Sequence, residues 1–86
     1  MPASYDLRIK RSAEREIRAL TQQQRRRVVA CVRSLAEEPR PSGCRKLAGR
    51  DAYRLRVGVL RVIYTIADDL LVVEVVHVAH RREAYR

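Results

Sequence analysis

The chain is 86 residues long, room for one compact domain, 1–86, whose folding removes only ~60–65% of the unfolded surface from water. Nineteen Lys and Arg against ten Asp and Glu leave a net charge of +9, a field that selects polyanions: nucleic acid, the ribosome, an anionic membrane or an acidic protein. No apolar run approaches the ~20 residues that span a bilayer, and Asp6, Arg8, Lys10 and Arg11 stand where a secretory signal is greasy, so the expectation is a soluble cytoplasmic protein.

Tyr5-Asp6-Leu7-Arg8-Ile9 alternates apolar and polar and predicts a short strand with one buried face. Ser12 can cap a first helix in which Ala13, Ile17 and Leu20 recur at spacings of four and three. Thr21-Gln22-Gln23-Gln24 fits a capping box, and Val28, Val32 and Leu35 continue a helical stripe, so a helical hairpin is expected over about 12–37. Pro39 and Pro41 end it, and Pro41-Ser42-Gly43-Cys44 reads as a loop. Cys31 and Cys44 lack CxxC spacing, which speaks against a disulfide framework or a thiolate metal site.

Beyond the loop the period changes to two. Tyr53, Leu55 and Val57 alternate with Arg54 and Arg56, and Leu60, Val62, Tyr64 and Ile66 alternate with Arg61, Ile63 and Thr65. Gly58-Val59 suits a two-residue turn with Gly at its first central position, and Asp68-Asp69 a second turn before the β-branched run Leu70 to Val78. The predicted fold is α+β: an N-terminal strand, a helical hairpin and a three-stranded antiparallel meander, with both helices on one face of an antiparallel sheet.

Counting outward from Gly58-Val59 pairs Val57 with Leu60, Arg56 with Arg61, Leu55 with Val62 and Tyr53 with Tyr64. Arg54, Arg56 and Arg61 then share the face turned away from the helices. Like charges directly opposite destabilise a sheet by up to roughly 1 kcal/mol, so the fold itself gains nothing from the Arg56–Arg61 pair. A bound phosphate accounts for it, because guanidinium forks match phosphate oxygens; three solvated arginines splaying apart satisfy the same count. Residues 40–64 also hold seven basic side chains against Asp51 alone, which makes this segment the first candidate anion surface.

Counting from Asp68-Asp69 pairs Val62 with Val75 and Ile63 with Glu74, placing Glu74 and His80 on the open face and His77 inward, buried and hydrogen-bonded. Residues three apart in a strand point to opposite faces, so His77 and His80 do not make a metal pair. Strict alternation turns Arg81 inward, so the chain is expected to leave the strand or bulge near His80 and let Arg81 rejoin the open face.

Lys46-Leu47-Ala48-Gly49, Tyr53-Arg54-Leu55-Arg56-Val57-Gly58, Arg61-Val62-Ile63-Tyr64 and His80-Arg81-Arg82-Glu83-Ala84-Tyr85 follow one another in the order seen in the RelE branch of the RelE/ParE toxin superfamily, which the chain resembles over almost its whole length. The resemblance implies a type II toxin–antitoxin toxin that cuts messenger RNA in the ribosomal A site without a metal or other cofactor. It further implies that Arg61, Arg81 and Tyr85 are catalytic and that Lys46, Arg54, Arg56 and His80 bind RNA, with Arg61 and Arg81 gripping the scissile phosphate. An acidic cognate antitoxin is the implied partner, DNA being contacted only through it. The motif around Arg61 also occurs among ParE-like toxins, which inhibit DNA gyrase and have no catalytic activity of their own; this is the alternative reading. One departure stands out: the best-known RelE enzymes have lysines where this chain has Arg54 and Arg56, and arginine in effect cannot lose a proton to act as a base. Either His80 or Tyr85 then takes part in proton transfer, or positioning and charge carry more of the rate.

Overall fold

A computed structural model describes residues 4–80. In chain order its elements are β1 (Asp6–Ile9), α1 (Arg11–Arg18), α2 (Gln22–Ser34), β2 (Arg45–Lys46), β3 (Tyr53–Val57), β4 (Leu60–Ala67) and β5 (Val72–His80). The strands form one sheet in the order β1-β5-β4-β3-β2. The α+β expectation holds, with two differences. β1 joins β5 in parallel, so the sheet is mixed, and the loop after α2 contributes β2 as a fifth strand at the far edge. Parallel pairing needs a long crossover, and here everything between β1 and β5 supplies it.

The chain passes from β1 into α1 without a side-chain cap. Lys10 occupies the cap position; its N–H donates to the Val75 carbonyl at 2.8 Å, and its own carbonyl accepts from Glu14 N at 2.9 Å. The helix therefore starts at Arg11, and Ser12, expected as the cap, lies inside the first turn. The second capping expectation is met in both halves: the Thr21 hydroxyl accepts from Gln24 N at 3.2 Å, and Gln24 Oε1 accepts from Thr21 N at 3.3 Å.

Ala13 and Ile17 of α1, with Val28, Val32 and Leu35 of the second helical segment, pack on Leu55, Val57, Leu60, Val62, Tyr64, Val73, Val75 and Val78 of the sheet. Every β3–β4 partner matches the counted register. The turn works because Gly58 has φ +62°, a left-handed conformation that a β-carbon disfavours; the Arg27 guanidinium also comes within 2.9 Å of where that β-carbon would be.

The β4–β5 connection departs from the count. It is a four-residue loop, Asp68 to Leu71, with Leu71 at φ 53°, in place of a tight Asp68-Asp69 turn. Asp68 is drawn out of the ladder: its carboxylate accepts from both terminal nitrogens of Arg40 at 3.1 and 2.9 Å and from the Tyr5 hydroxyl at 2.7 Å. The Leu71 carbonyl is meanwhile held by Asp6 N at 2.6 Å. As a result Tyr64 pairs with Val75 and Thr65 with Glu74; after a bulge at Val76, Ile63 pairs with His77 and Val62 with Val78. Val62–Val75 and Ile63–Glu74, the pairs expected from a two-residue turn, are not formed. The bulge inverts the alternation of the rest of the strand, so that Val78 and not His77 is buried among the core residues.

Candidate nucleic-acid interface

On the face away from the helices the register stacks two arginine pairs side by side. Arg45 of β2 lies opposite Arg54 of β3, and Arg56 of β3 lies opposite Arg61 of β4. Arg45 and Arg56 are exposed, Arg54 is half-buried and Arg61 is only 4% exposed, the one charged residue among the buried described residues. Gly43, Arg45, Arg54 and Arg56 line an open groove of about 320 Å³. Buried Ile63 and Ala79 stand across the ladder from Arg54 and Arg61 respectively, so the innermost guanidinium sits in a partly apolar floor. A cation removed from bulk water interacts more strongly with an arriving anion, because less solvent screens the charge.

Arg45 was not foreseen as a site residue. Its segment reads as loop after Pro41 and Gly43, and the only hint in the sequence is the basic run of residues 40–64. Its position depends on how that loop is anchored. Tyr64, buried in the core, donates its hydroxyl to the Pro39 carbonyl at 2.8 Å and stacks on Tyr53 with ring centroids 5.9 Å apart. Arg40 lies over the Tyr53 ring at 5.3 Å and forks onto Asp68. Burial pushes the Tyr64 hydroxyl well above the ordinary tyrosine range, so it remains a donor. The hydrogen bonds from Arg40, then that from Tyr5, hold the Asp68 carboxyl down at about 2. These contacts bind the start of the 38–44 connection to the sheet and bring Arg45 into register with Arg54.

Arg54, Arg56 and Arg61 are therefore gathered on one face as expected, and two other candidates are not. Lys46 pairs with Tyr53, whose ring packs against the core, so pleat alternation puts Lys46 on the helix side of the sheet edge. His80 pairs with Leu60, another core-face residue, because the Val76 bulge has inverted the alternation; it is exposed at the strand end but not on the arginine face. The strand runs unbroken through His80, and its one bulge lies at Val76, four residues before the place where a break was expected. Arg81 and Tyr85 lie outside the described residues.

His77, expected to be buried, is instead about one-third exposed and its Nδ1 lies 2.8 Å from Glu16 Oε2. The other oxygen of Glu16 accepts from Val78 N at 2.9 Å. β1 stops opposite Val75, and the carboxylate takes over as acceptor along the edge where β1 has ended. Glu74 lies opposite Thr65 on the open face, as expected for its side of the sheet although with a different partner. Among the described residues no group of three or more His, Cys, Asp and Glu is placed to hold a metal ion, and no helix is long and apolar enough to cross a membrane.

The family model for the ParE toxin of type II toxin–antitoxin systems, parDE, matches residues 7–85. No curated protein matches in sequence. Among solved structures, the archaeal RelE–RelB complex from Pyrococcus horikoshii OT3 is similar at TM-score 0.84 and 27% identity, over 93% of this chain and 98% of that one. The intact E. coli RelBE toxin–antitoxin complex is similar at TM-score 0.76 and 30% identity, over 90% and 96%. The isolated E. coli RelE toxin is similar at TM-score 0.79 and 29% identity, over 95% and 92%.

Proposed function

From the premise that this chain belongs to the ParE toxin family of type II toxin–antitoxin systems, and within the RelE/ParE superfamily is a RelE-branch toxin, we propose that it is an endoribonuclease that cuts messenger RNA in the ribosomal A site. The observation that carries this reading is Arg61, buried on the open face directly opposite Arg56. Like-charge pairing across a ladder is a liability for folding and an asset for holding a phosphate.

In this mechanism the 2′-hydroxyl of a messenger nucleotide attacks the adjoining phosphorus. The O2′–P bond forms and the P–O5′ bond breaks, leaving a 2′,3′-cyclic phosphate and a free 5′-hydroxyl; one proton leaves the 2′-oxygen and one reaches the 5′-oxygen. Arg56 and Arg61 stabilise the charge that grows on the phosphorane, and Arg45 and Arg54 hold the flanking backbone. Arg81 completes the phosphate grip in this reading. Proton transfer falls to Tyr85 or to groups on the ribosome, since His80 faces the other side and arginines keep their protons. Positive charge comes from guanidinium groups, so the scheme needs no metal. A site rich in charge and poor in bases acts on RNA already held in line, which is why the proposal includes the ribosome.

The family also supplies the partner: a short acidic antitoxin laid across this +9 surface, with its own DNA-binding part mediating any contact with the operon. The parDE description of the matching family supports one competing reading, inhibition of DNA gyrase without chemistry. Expressing the chain and mapping messenger 5′ ends separates the two. Cuts at codon positions that vanish with Arg61→Ala support the ribonuclease; an SOS response over intact messages refutes it.

A further inference from the structure

The bulge that buries Val78 also turns His77 onto the face that holds the arginines. His77 pairs with Ile63, and Ile63 in turn with Arg54; the next row across the same strands is Ala79, Arg61 and Arg56. His77 and Arg61 are therefore diagonal neighbours on adjacent strands, a relation that sets residues roughly 7–8 Å apart and within reach of long side chains. The other two corners of that square, Ile63 and Ala79, are buried and carry no charge. A phosphate gripped by Arg61 thus brings the ribose beside it toward the imidazole.

The ring is held in one orientation. Its Nδ1 lies 2.8 Å from Glu16 Oε2, while Glu16 Oε1 accepts from Val78 N at 2.9 Å, so the carboxylate that steadies the imidazole is itself fixed by the backbone of the next residue. An ionised carboxylate only accepts; Nδ1 therefore carries the proton, and Nε2 keeps the lone pair. The two side chains are 36% and 30% exposed, enclosed enough to keep this geometry and open enough to meet a substrate atom. The bond from Val78 N already satisfies the sheet edge, and the imidazole adds nothing to the ladder. Around His77 the charged groups are Glu16 from α1, Arg61 from β4 with Arg54 beyond Ile63, and Glu74 and His80 of its own strand; β1 stops opposite Val75 and brings Arg8 level with Glu74.

We propose that His77, oriented by Glu16, accepts the proton of the attacking 2′-hydroxyl. This rests on the ribonuclease reading, and it supplies from the chain itself a base that arginines at 54 and 56 cannot be. As the O2′–P bond forms, the 2′-proton passes to Nε2 and the ring becomes an imidazolium beside the Glu16 carboxylate. As the P–O5′ bond breaks, the 5′-oxygen takes its proton from Tyr85 or from a group on the ribosome, which then has only this second transfer to perform. His77 returns its proton to solvent. Glu16 touches no reacting atom and is a positioning residue.

The test is single-turnover cleavage of messenger on ribosomes by the full chain, followed across the range in which imidazole changes charge, about pH 5 to 8. The parent is expected to lose rate toward acid. His77→Gln keeps a side-chain N–H for Glu16 but cannot take the proton; it is expected to be slower by ~10²–10⁴ and to lose the acid limb, with ribosome binding unchanged. Glu16→Gln keeps an acceptor for Val78 N and removes the group that fixes the tautomer, so its melting midpoint should stay near the parent's while its rate falls by ~10² or more. This second variant decides the matter where circular dichroism finds His77→Gln unfolded. A His77→Gln variant as fast as the parent, with the same pH profile, overturns the proposal; so does an acid limb that survives in it and disappears in His80→Gln. Glu16→Gln with both rate and midpoint intact assigns the pair to the sheet edge and overturns it too. Messages left intact by the parent refute the ribonuclease reading together with this one, whereas codon cuts that His77→Gln makes equally well refute this one alone.

Discussion

The two faces of one sheet obey different rules. Toward the helices, Leu55, Val57, Leu60, Val62 and Tyr64 lock into the core, and each contributes by leaving water and by close packing. On the other side the same two strands bring Arg54, Arg56 and Arg61 together, where mutual repulsion and the desolvation of Arg61 oppose folding. One face is explained by stability alone. The other gathers like charges that apolar burial does not call for, and that contrast singles out the candidate site before any likeness to another protein is considered.

The comparison breaks most visibly if the core face can be emptied cheaply. Tyr64 fills the core, stacks on Tyr53 and holds Pro39, so Tyr64→Ala is expected to lose about 3–5 kcal/mol in denaturant unfolding; a loss under about 1 kcal/mol would mean that the 38–44 connection is anchored elsewhere. On the arginine face the expected signs reverse. Arg61→Ala should lower cleavage on ribosomes by ~10²–10³ with far less effect on ribosome binding. Arg61→Met, which keeps an unbranched aliphatic stem and removes the charge, should be equally inactive while the chain still unfolds in one cooperative transition. A marked drop in its unfolding midpoint would show that Arg61 serves the fold after all.

At the turn that joins the strands, Gly58→Ala should cost about 1–2 kcal/mol, the penalty of a left-handed backbone with a β-carbon. The Arg27 guanidinium can swing aside from the new methyl. Thermal unfolding that does not change would mean that the turn relaxes to another type. The smallest effect concerns Asp68 and is confined to acid. Its carboxyl is lowered to about 2 from an unfolded value near ~3.9, so its contribution is complete above about pH 4 and is lost as pH falls through about 2. Asp68→Asn should flatten the fall of the melting midpoint across that window; a variant that declines as steeply as the parent assigns the acid sensitivity to other carboxylates.

Much of the site was legible because it lies in one hairpin. Residues 53–66 alternate cleanly, the glycine names the turn, and counting outward brings Arg56 against Arg61 without any tertiary information. Arg45 was not legible, because a two-residue strand offers no period to recognise. His80 was misplaced because a single extra residue at Val76 reverses every later side chain.

What the sequence determined by itself was therefore local: the capped second helix, the two faces of β3 and β4, and the gathering of Arg54, Arg56 and Arg61. Each follows from side-chain period or from hydrogen bonds between residues a few positions apart. Tertiary structure decided the rest: β1 beside β5, the four-residue loop, the bulge, and the seating of Arg45. The loop depends on Asp68 meeting Arg40 and Tyr5, 28 and 63 positions away. Period constrains a side chain only relative to its own strand. Which strand lies alongside, and in what register, is settled by contacts between distant segments that no local pattern encodes.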